Sequence, residues 1–209
     1  FTDRGKVYRL RAYELPEHRR ESQGHNVINL LPIEQGERAT AVLAIPNFEA
    51  GDYLVFGTKR GEVKRSALTQ FVSVRSTGLL AMDVEPDDEL ARVRLATSET
   101  DVMFFTRNGQ AIRFALDSIR ASGRTSGGVR AIRLHGEDEV VAMDLAREES
   151  YVLLITRNGY GKKMPVQAFR AQGRGGQGLR AINLNAKTGV VADARTLIDE
   201  NEEIALVTS

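Results

Sequence analysis

One short pattern, a threonine followed three places later by a glycine, recurs along this chain and constrains its fold more than any other feature. It appears as Thr2-Asp3-Arg4-Gly5, Thr58-Lys59-Arg60-Gly61, Thr106-Arg107-Asn108-Gly109 and Thr156-Arg157-Asn158-Gly159, and the threonine returns at Thr208. Successive threonines lie 56, 48, 50 and 52 residues apart. A fixed period of this size is the mark of a repeat architecture, in which each unit buries its faces only against its neighbours. The chain therefore reads as one domain over residues 1–209, built from four units at roughly 2–57, 58–105, 106–155 and 156–207. Asn-Gly between apolar runs signals a two-residue hairpin with a type I′ turn, which needs φ > 0 at both central positions.

Each unit repeats the same order. An apolar strand comes first: Tyr53 to Phe56, Val102 to Phe105, Val152 to Ile155 and Ile204 to Val207. The hairpin follows, with a basic residue four places after its glycine (Arg9, Arg65, Arg113, Lys163). A polar connection, Gly-rich in the last two units, leads to short strands at Val27 to Leu30, Leu79 to Met82, Val129 to Ile132 and Leu179 to Ile182. An acidic turn then precedes a last strand at Thr40 to Ile45, Ala91 to Ala96, Val140 to Leu145 and Val190 to Ala194. No window has helical periodicity of helical length; short helical turns are expected near Leu116 to Arg120 and Val166 to Arg170. Four short strands per unit predict an all-β, propeller-like array of four-stranded blades, with a linear β-solenoid as the alternative. Both ends fall at the same phase of the repeat, which reads as a piece cut from a longer array.

Net charge is only +1, but its distribution is periodic. Divided at the hairpin and at the acidic turn, the hairpin halves of the four units sum to +18 and the remaining halves to −17. In a radial array equivalent segments share one rim, so the basic halves are expected to form a continuous positive track with the acidic halves facing elsewhere. Such a track suits a polyanion. Aromatic residues are 6% of the chain and tryptophan is absent, which disfavours single-strand binding by base stacking and favours duplex held through phosphates. An acidic peptide on a protein-interaction propeller is the competing reading of the same charge.

Other chemistry finds little support. Cysteine is absent, so there is no disulfide framework and no thiolate metal site. His18, His25 and His135 show no metal-ligand spacing, and no Ser, His and Asp set suggests a triad. Asp87-Asp88-Glu89 and Glu137-Asp138-Glu139 recur in phase and read as turn-forming loops. Gly173 to Gly178 satisfies G-x-G-x-x-G, but a strand-like run follows where a dinucleotide site needs a helix. No apolar h-region and no run of 18 apolar residues is present, so neither a signal peptide nor a membrane span is expected.

Phe1 to Tyr8, Tyr13-Glu14-Leu15-Pro16, Val27 to Pro32 and Thr156 to Lys163 resemble the C-terminal domain of the DNA gyrase A protein, and the likeness runs over essentially the whole chain. The related protein of topoisomerase IV is the second choice. The resemblance implies a β-pinwheel, a propeller-shaped ring in which neighbouring blades exchange strands and whose basic rim wraps duplex DNA. It further implies a place in an ATP-dependent enzyme of bacterial cytoplasm. Its partners there would be the N-terminal part of the gyrase A protein and the gyrase B protein, in an A2B2 assembly. ATP and Mg2+ would bind elsewhere, leaving no cofactor here. The family's catalytic tyrosine lies in that N-terminal part, so no catalytic residue is expected in this stretch. Gln172 to Gly178 is similar to the family's Gln-Arg-Arg-Gly-Gly-Lys-Gly box, but has Gly173 and Gln177 where that box has Arg and Lys, and reads as a paralogous loop. Phosphate contacts are expected from Arg4, Lys6, Arg9, Lys59, Arg60, Lys64, Arg65, Arg107, Arg113, Arg157, Lys162 and Lys163, with Arg124, Arg130, Arg174 and Arg180 as a second tier.

Overall fold

The structure is a computed structural model that describes residues 1–49, 51–198 and 202–204. Thr2, Thr58, Thr106 and Thr156 each open a hairpin loop, and the loop is one residue longer than expected. The first unit keeps only a two-residue strand after its loop, β1 (Lys6–Val7). Counted from its apolar strand, a few residues ahead of the threonine division, the second has β2 (Tyr53–Thr58) and β3 (Glu62–Ala67), with Gly57 opposite Val63 and Lys59 to Gly61 in the loop. No described residue other than glycine has positive φ, whereas Gly61, Gly109 and Gly159 lie at 85°, 83° and 80°. The turns are therefore not type I′. They are three-residue loops whose last position alone is left-handed, and that position is always glycine. This is why Asp3-Arg4 and Lys59-Arg60 serve as well as Arg107-Asn108. The threonine hydroxyl closes the loop from inside: Oγ1 of Thr58, Thr106 and Thr156 accepts from the amides of Glu62, Gln110 and Tyr160 at 3.0, 3.2 and 3.3 Å.

The remaining elements show how the units join. Unit two continues with β4 (Leu79–Leu80) and β5 (Leu90–Ala96); unit three supplies β6 (Asp101–Thr106), β7 (Gln110–Ala115), β8 (Val129–Arg130) and β9 (Val140–Ala146). Unit four supplies β10 (Tyr151–Thr156), β11 (Gly161–Pro165), β12 (Leu179–Arg180) and β13 (Val191–Leu197). The sheets run β5-β2-β3-β8 and β9-β6-β7-β12, with β13-β10-β11 in the last blade and β1-β4 at the first. In the first three blades the outermost strand thus belongs to the following unit. Strand exchange is the defining feature of the β-pinwheel, so the fold matches the expectation. The expected helical turns are present as short 3-10 turns at Leu116–Ser118 and Val166–Ala168, with an equivalent at Leu68–Phe71.

Three clusters form the core, one between each pair of successive units. Val55 and Val63 pack with Phe104, Ile112 and Phe114; Met103 and Phe105 pack with Val152, Leu154 and Phe169; Val7 packs with Leu54, Phe56 and Met82. Alternate residues of β2 and β6 enter different clusters, so these strands are buried on both faces and read as unbroken apolar runs. At the inner edge β5, β9 and β13 are tied by Arg94 Nε to Asp144 (2.8 Å) and by the Thr196 amide to the other oxygen of Asp144 (3.0 Å).

Two expected strands of unit one are not strands. Val27–Asn29 forms a 3-10 turn, and residues 40–45 are irregular. Their counterparts pair with the hairpin of a preceding unit or with a full central strand, and unit one has neither among the described residues. The run from Ala205 to Val207, and Thr208, lie outside the described residues.

Candidate nucleic-acid interface

The basic residues named from the sequence separate into three groups with different surroundings. The first is the hairpin tips. Arg4 and Lys6 pair with Glu34, Lys59 with Glu89 (2.7 Å), Arg60 with Asp87 and Arg107 with Glu139 (3.2 Å). The acidic turns do not face away, as expected from the alternation of charge; they fold back onto the tips of their own units. The cause is local. The Asp88 and Asp138 carboxylates accept the backbone amides of Arg60 and Asn108 at 2.9 Å, which clamps acidic turn to tip. Arg157 is the exception, exposed at a tip whose facing turn, Ala186-Lys187-Thr188, carries no acid.

The second group lies on the outer hairpin strand. Lys64, Arg65 and Arg113 are buried, against the expectation that they meet phosphates. Lys64 Nζ donates to the carbonyls of Ala81 (2.8 Å), Arg124 (2.7 Å) and Ser126 (3.0 Å). Burial pushes its pKa down to about 8. Arg65 reaches Asp117 at 2.6 Å with its guanidinium over the Tyr53 ring. Arg113 binds Asp101 (2.6 Å) and Glu148; burial works against its charge, but those hydrogen bonds outweigh it and hold its pKa above the ordinary arginine value. Arg9 is half-buried over Phe48. Lys162 and Lys163 are exposed, Lys162 on the Ala181 carbonyl and Lys163 over the Tyr151 ring.

The third group is the outer rim, where the connections and the exchanged strands run. Arg130, Arg174 and Arg180 are exposed and Arg124 half-buried, and no described carboxylate forms an ion pair with any of them. Arg75, Arg120, Arg133 and Arg170, which were not singled out from the sequence, are exposed and likewise unpaired. Successive blades join along this rim. The Ser126 carbonyl accepts the Asp83 amide (3.1 Å), the Gly175 amide donates to the Ala131 carbonyl (2.6 Å), and Arg174 Nε donates to the Ser118 carbonyl (3.2 Å). The loop Gly173 to Gly178 lies flat against the exchanged strand of unit three and is followed by β12, not by a helix, which removes the dinucleotide reading. A signal for the rim was present in the sequence: no Asp or Glu occurs between Asp117 and Glu137 or between Glu149 and Asp193, intervals that hold four and seven Lys or Arg.

A strand-exchanged β-propeller with an unpaired arginine rim defines the class to which this chain belongs. A family model described as DNA gyrase C-terminal domain, beta-propeller, matches residues 1–46, 52–97, 100–147 and 150–197, and the chain belongs to that family. Similar sequences include the DNA gyrase A protein of Salmonella typhimurium, 42% identical over 130 residues (62% of this chain, 15% of that protein). The DNA gyrase A protein of Halalkalibacterium halodurans is 45% identical over 130 residues (62% and 16%). The match thus spans about 15% of these relatives' length. Among solved structures, the C-terminal domain of DNA topoisomerase IV superposes with TM-score 0.83 at 25% identity, covering 95% of this chain and 62% of that one. The DNA gyrase A C-terminal domain superposes with TM-score 0.78 at 22% identity, covering 94% and 64%. Among the described residues no helix is long and apolar enough to cross a membrane.

Proposed function

We propose that this domain binds duplex DNA along its outer rim and bends it around the blades, as the DNA-wrapping part of a gyrase-type, ATP-dependent topoisomerase that introduces negative supercoils. The observation that carries this reading is the succession of unpaired arginines on adjoining blade edges, in stretches without a carboxylate. The contact set is Arg120, Arg124, Arg130, Arg133, Arg170, Arg174 and Arg180, joined by Arg75, Arg157, Lys162 and Lys163. The paired tips Arg4, Lys6, Lys59, Arg60 and Arg107 and the buried Lys64, Arg65 and Arg113 fall outside it. Family membership supplies the rest of the proposal: the N-terminal part of the gyrase A protein and the gyrase B protein as partners, ATP and Mg2+ bound elsewhere, and a bacterial cytoplasm.

Bending a site of tens of base pairs costs about 1–6 kcal/mol. Phosphate neutralisation offsets it, and with roughly eight of these eleven cations on phosphates at once log K falls against log salt with a slope near −7. These contacts read backbone position and duplex deformability, so sequence preference is weak. The test is a salt titration of binding, together with ligation of nicked circular DNA in the presence of the domain. Salt-sensitive binding with a shifted linking number supports wrapping. Binding that ignores ionic strength and leaves linking number unchanged favours a peptide-binding propeller instead.

A further inference from the structure

The basic residue four places after each turn glycine recurs in every unit, yet two of its four copies are buried and unavailable to a phosphate. Its partners follow a rule. Arg9 Nη1 donates to the Val72 carbonyl (3.3 Å), at the end of the 3-10 turn Leu68–Phe71 of unit two. Arg65 Nη1 binds Asp117, in the 3-10 turn Leu116–Ser118 of unit three. Arg113 Nη1 donates to the carbonyls of Val166 (3.3 Å) and Phe169 (3.4 Å), at the two ends of the 3-10 turn of unit four. In each case the guanidinium of one unit grips the 3-10 turn of the next. The backbone repeats the link: the amides of Ser122 and Gln172 donate to the carbonyls of Arg65 (3.0 Å) and Arg113 (2.8 Å).

The connections that carry the rim arginines leave directly from these turns, Arg120 and Arg124 after Ser118, Arg170 and Arg174 after Ala168. We propose that Arg9, Arg65 and Arg113 are positioning residues: they set the angle between successive blades, and so the curvature of the DNA path, without touching DNA. A planar guanidinium with several fixed donors suits this work, because it can hold two carbonyls and a carboxylate at once. The inference rests on the rim reading above, and the two fail differently.

The test compares wild type with Arg113→Lys and with Asp117→Ala. The first keeps the charge but loses the fork; the second removes the acceptor of Arg65 by truncating an exposed side chain. Each is assayed for affinity to a linear duplex of about 20 base pairs, too short to follow several blades, and for linking-number change on ligated circles. Since no phosphate contact is lost, short-duplex affinity should stay within about twofold of wild type. The linking-number change per bound domain should fall by about half or more as the blades lose a common curvature. Unaltered wrapping in both variants overturns the inference, as does a loss of short-duplex affinity in proportion to the loss of wrapping. Failure of the wild type itself to shift linking number would instead overturn the rim reading. Should Arg113→Lys unfold, Asp117→Ala decides alone.

Discussion

At the scale of single residues, position within the repeat matters less than what the next unit places around each side chain. Lys64 and Lys162 occupy the same place, three residues after the turn glycine. Lys162 is exposed with one carbonyl partner, whereas Lys64 is sealed at the junction of units two and three with three. Burial disfavours the ammonium and lowers its pKa to about 8 from the usual 10.5. The sign of the pH effect follows. Below pH 8 both folded and unfolded chains carry the proton and the burial cost is constant. Between pH 8 and about 10.5 the unfolded chain binds more protons, so stability rises with pH. Relative to Lys64→Met, the wild type should gain of the order of 2–3 kcal/mol between pH 7.5 and pH 10 in urea unfolding. A pH-independent difference would mean that the three carbonyls hold the ammonium at its ordinary pKa.

At the scale of elements, the turn glycine joins two units. Its positive φ closes the hairpin loop, and its carbonyl accepts the amide of an alanine in an exchanged segment: Ala81 to Gly5, Ala131 to Gly61 and Ala181 to Gly109, each at 2.8 Å. A Cβ on Gly109 would meet Ile182 Cγ2 at 3.0 Å and the Ile182 carbonyl oxygen at 3.1 Å, whereas on Gly159 it would meet nothing within 4 Å. Both substitutions force alanine into the left-handed region, at a cost of about 1 kcal/mol. Gly159→Ala should lose only that. Gly109→Ala should lose about 2–3 kcal/mol, because the exchanged strand must also move. Equal shifts in urea midpoint for the two variants would show that strand exchange adds nothing at this turn. The pattern Thr-x-x-Gly was legible in the sequence, and so was the hairpin. The length of its loop was not, since Asn-Gly suits a two-residue turn equally well and only the strand register separates the two.

At the scale of the whole molecule, the structure relocates the positive track. Sequence alternation put it at the hairpins; folding returns Glu34, Asp87, Glu89 and Glu139 to the tips and leaves the free arginines on the outer edge. Substituting Lys59 and Arg60 by Gln should therefore leave duplex affinity within about twofold, because neither charge is free to release a counterion. Substituting Arg120, Arg170 and Arg180 by Glu should weaken binding to all duplexes alike and make the salt slope shallower by about three. Equal effects of the two sets in a gel-shift titration would put the track back at the tips.

By itself the sequence determined the period, the all-β class and the number of units. These follow from spacing and turn chemistry, which act over a few residues. Which cations are free was decided by tertiary structure, although the acid-free intervals 118–136 and 150–192 marked where the rim lies. An ion pair depends on what lies within 4 Å, and in an array that exchanges strands the nearest carboxylate or carbonyl comes from about 30 residues away or from the next unit. The same distance separates a lysine that meets solvent from one that holds two blades together.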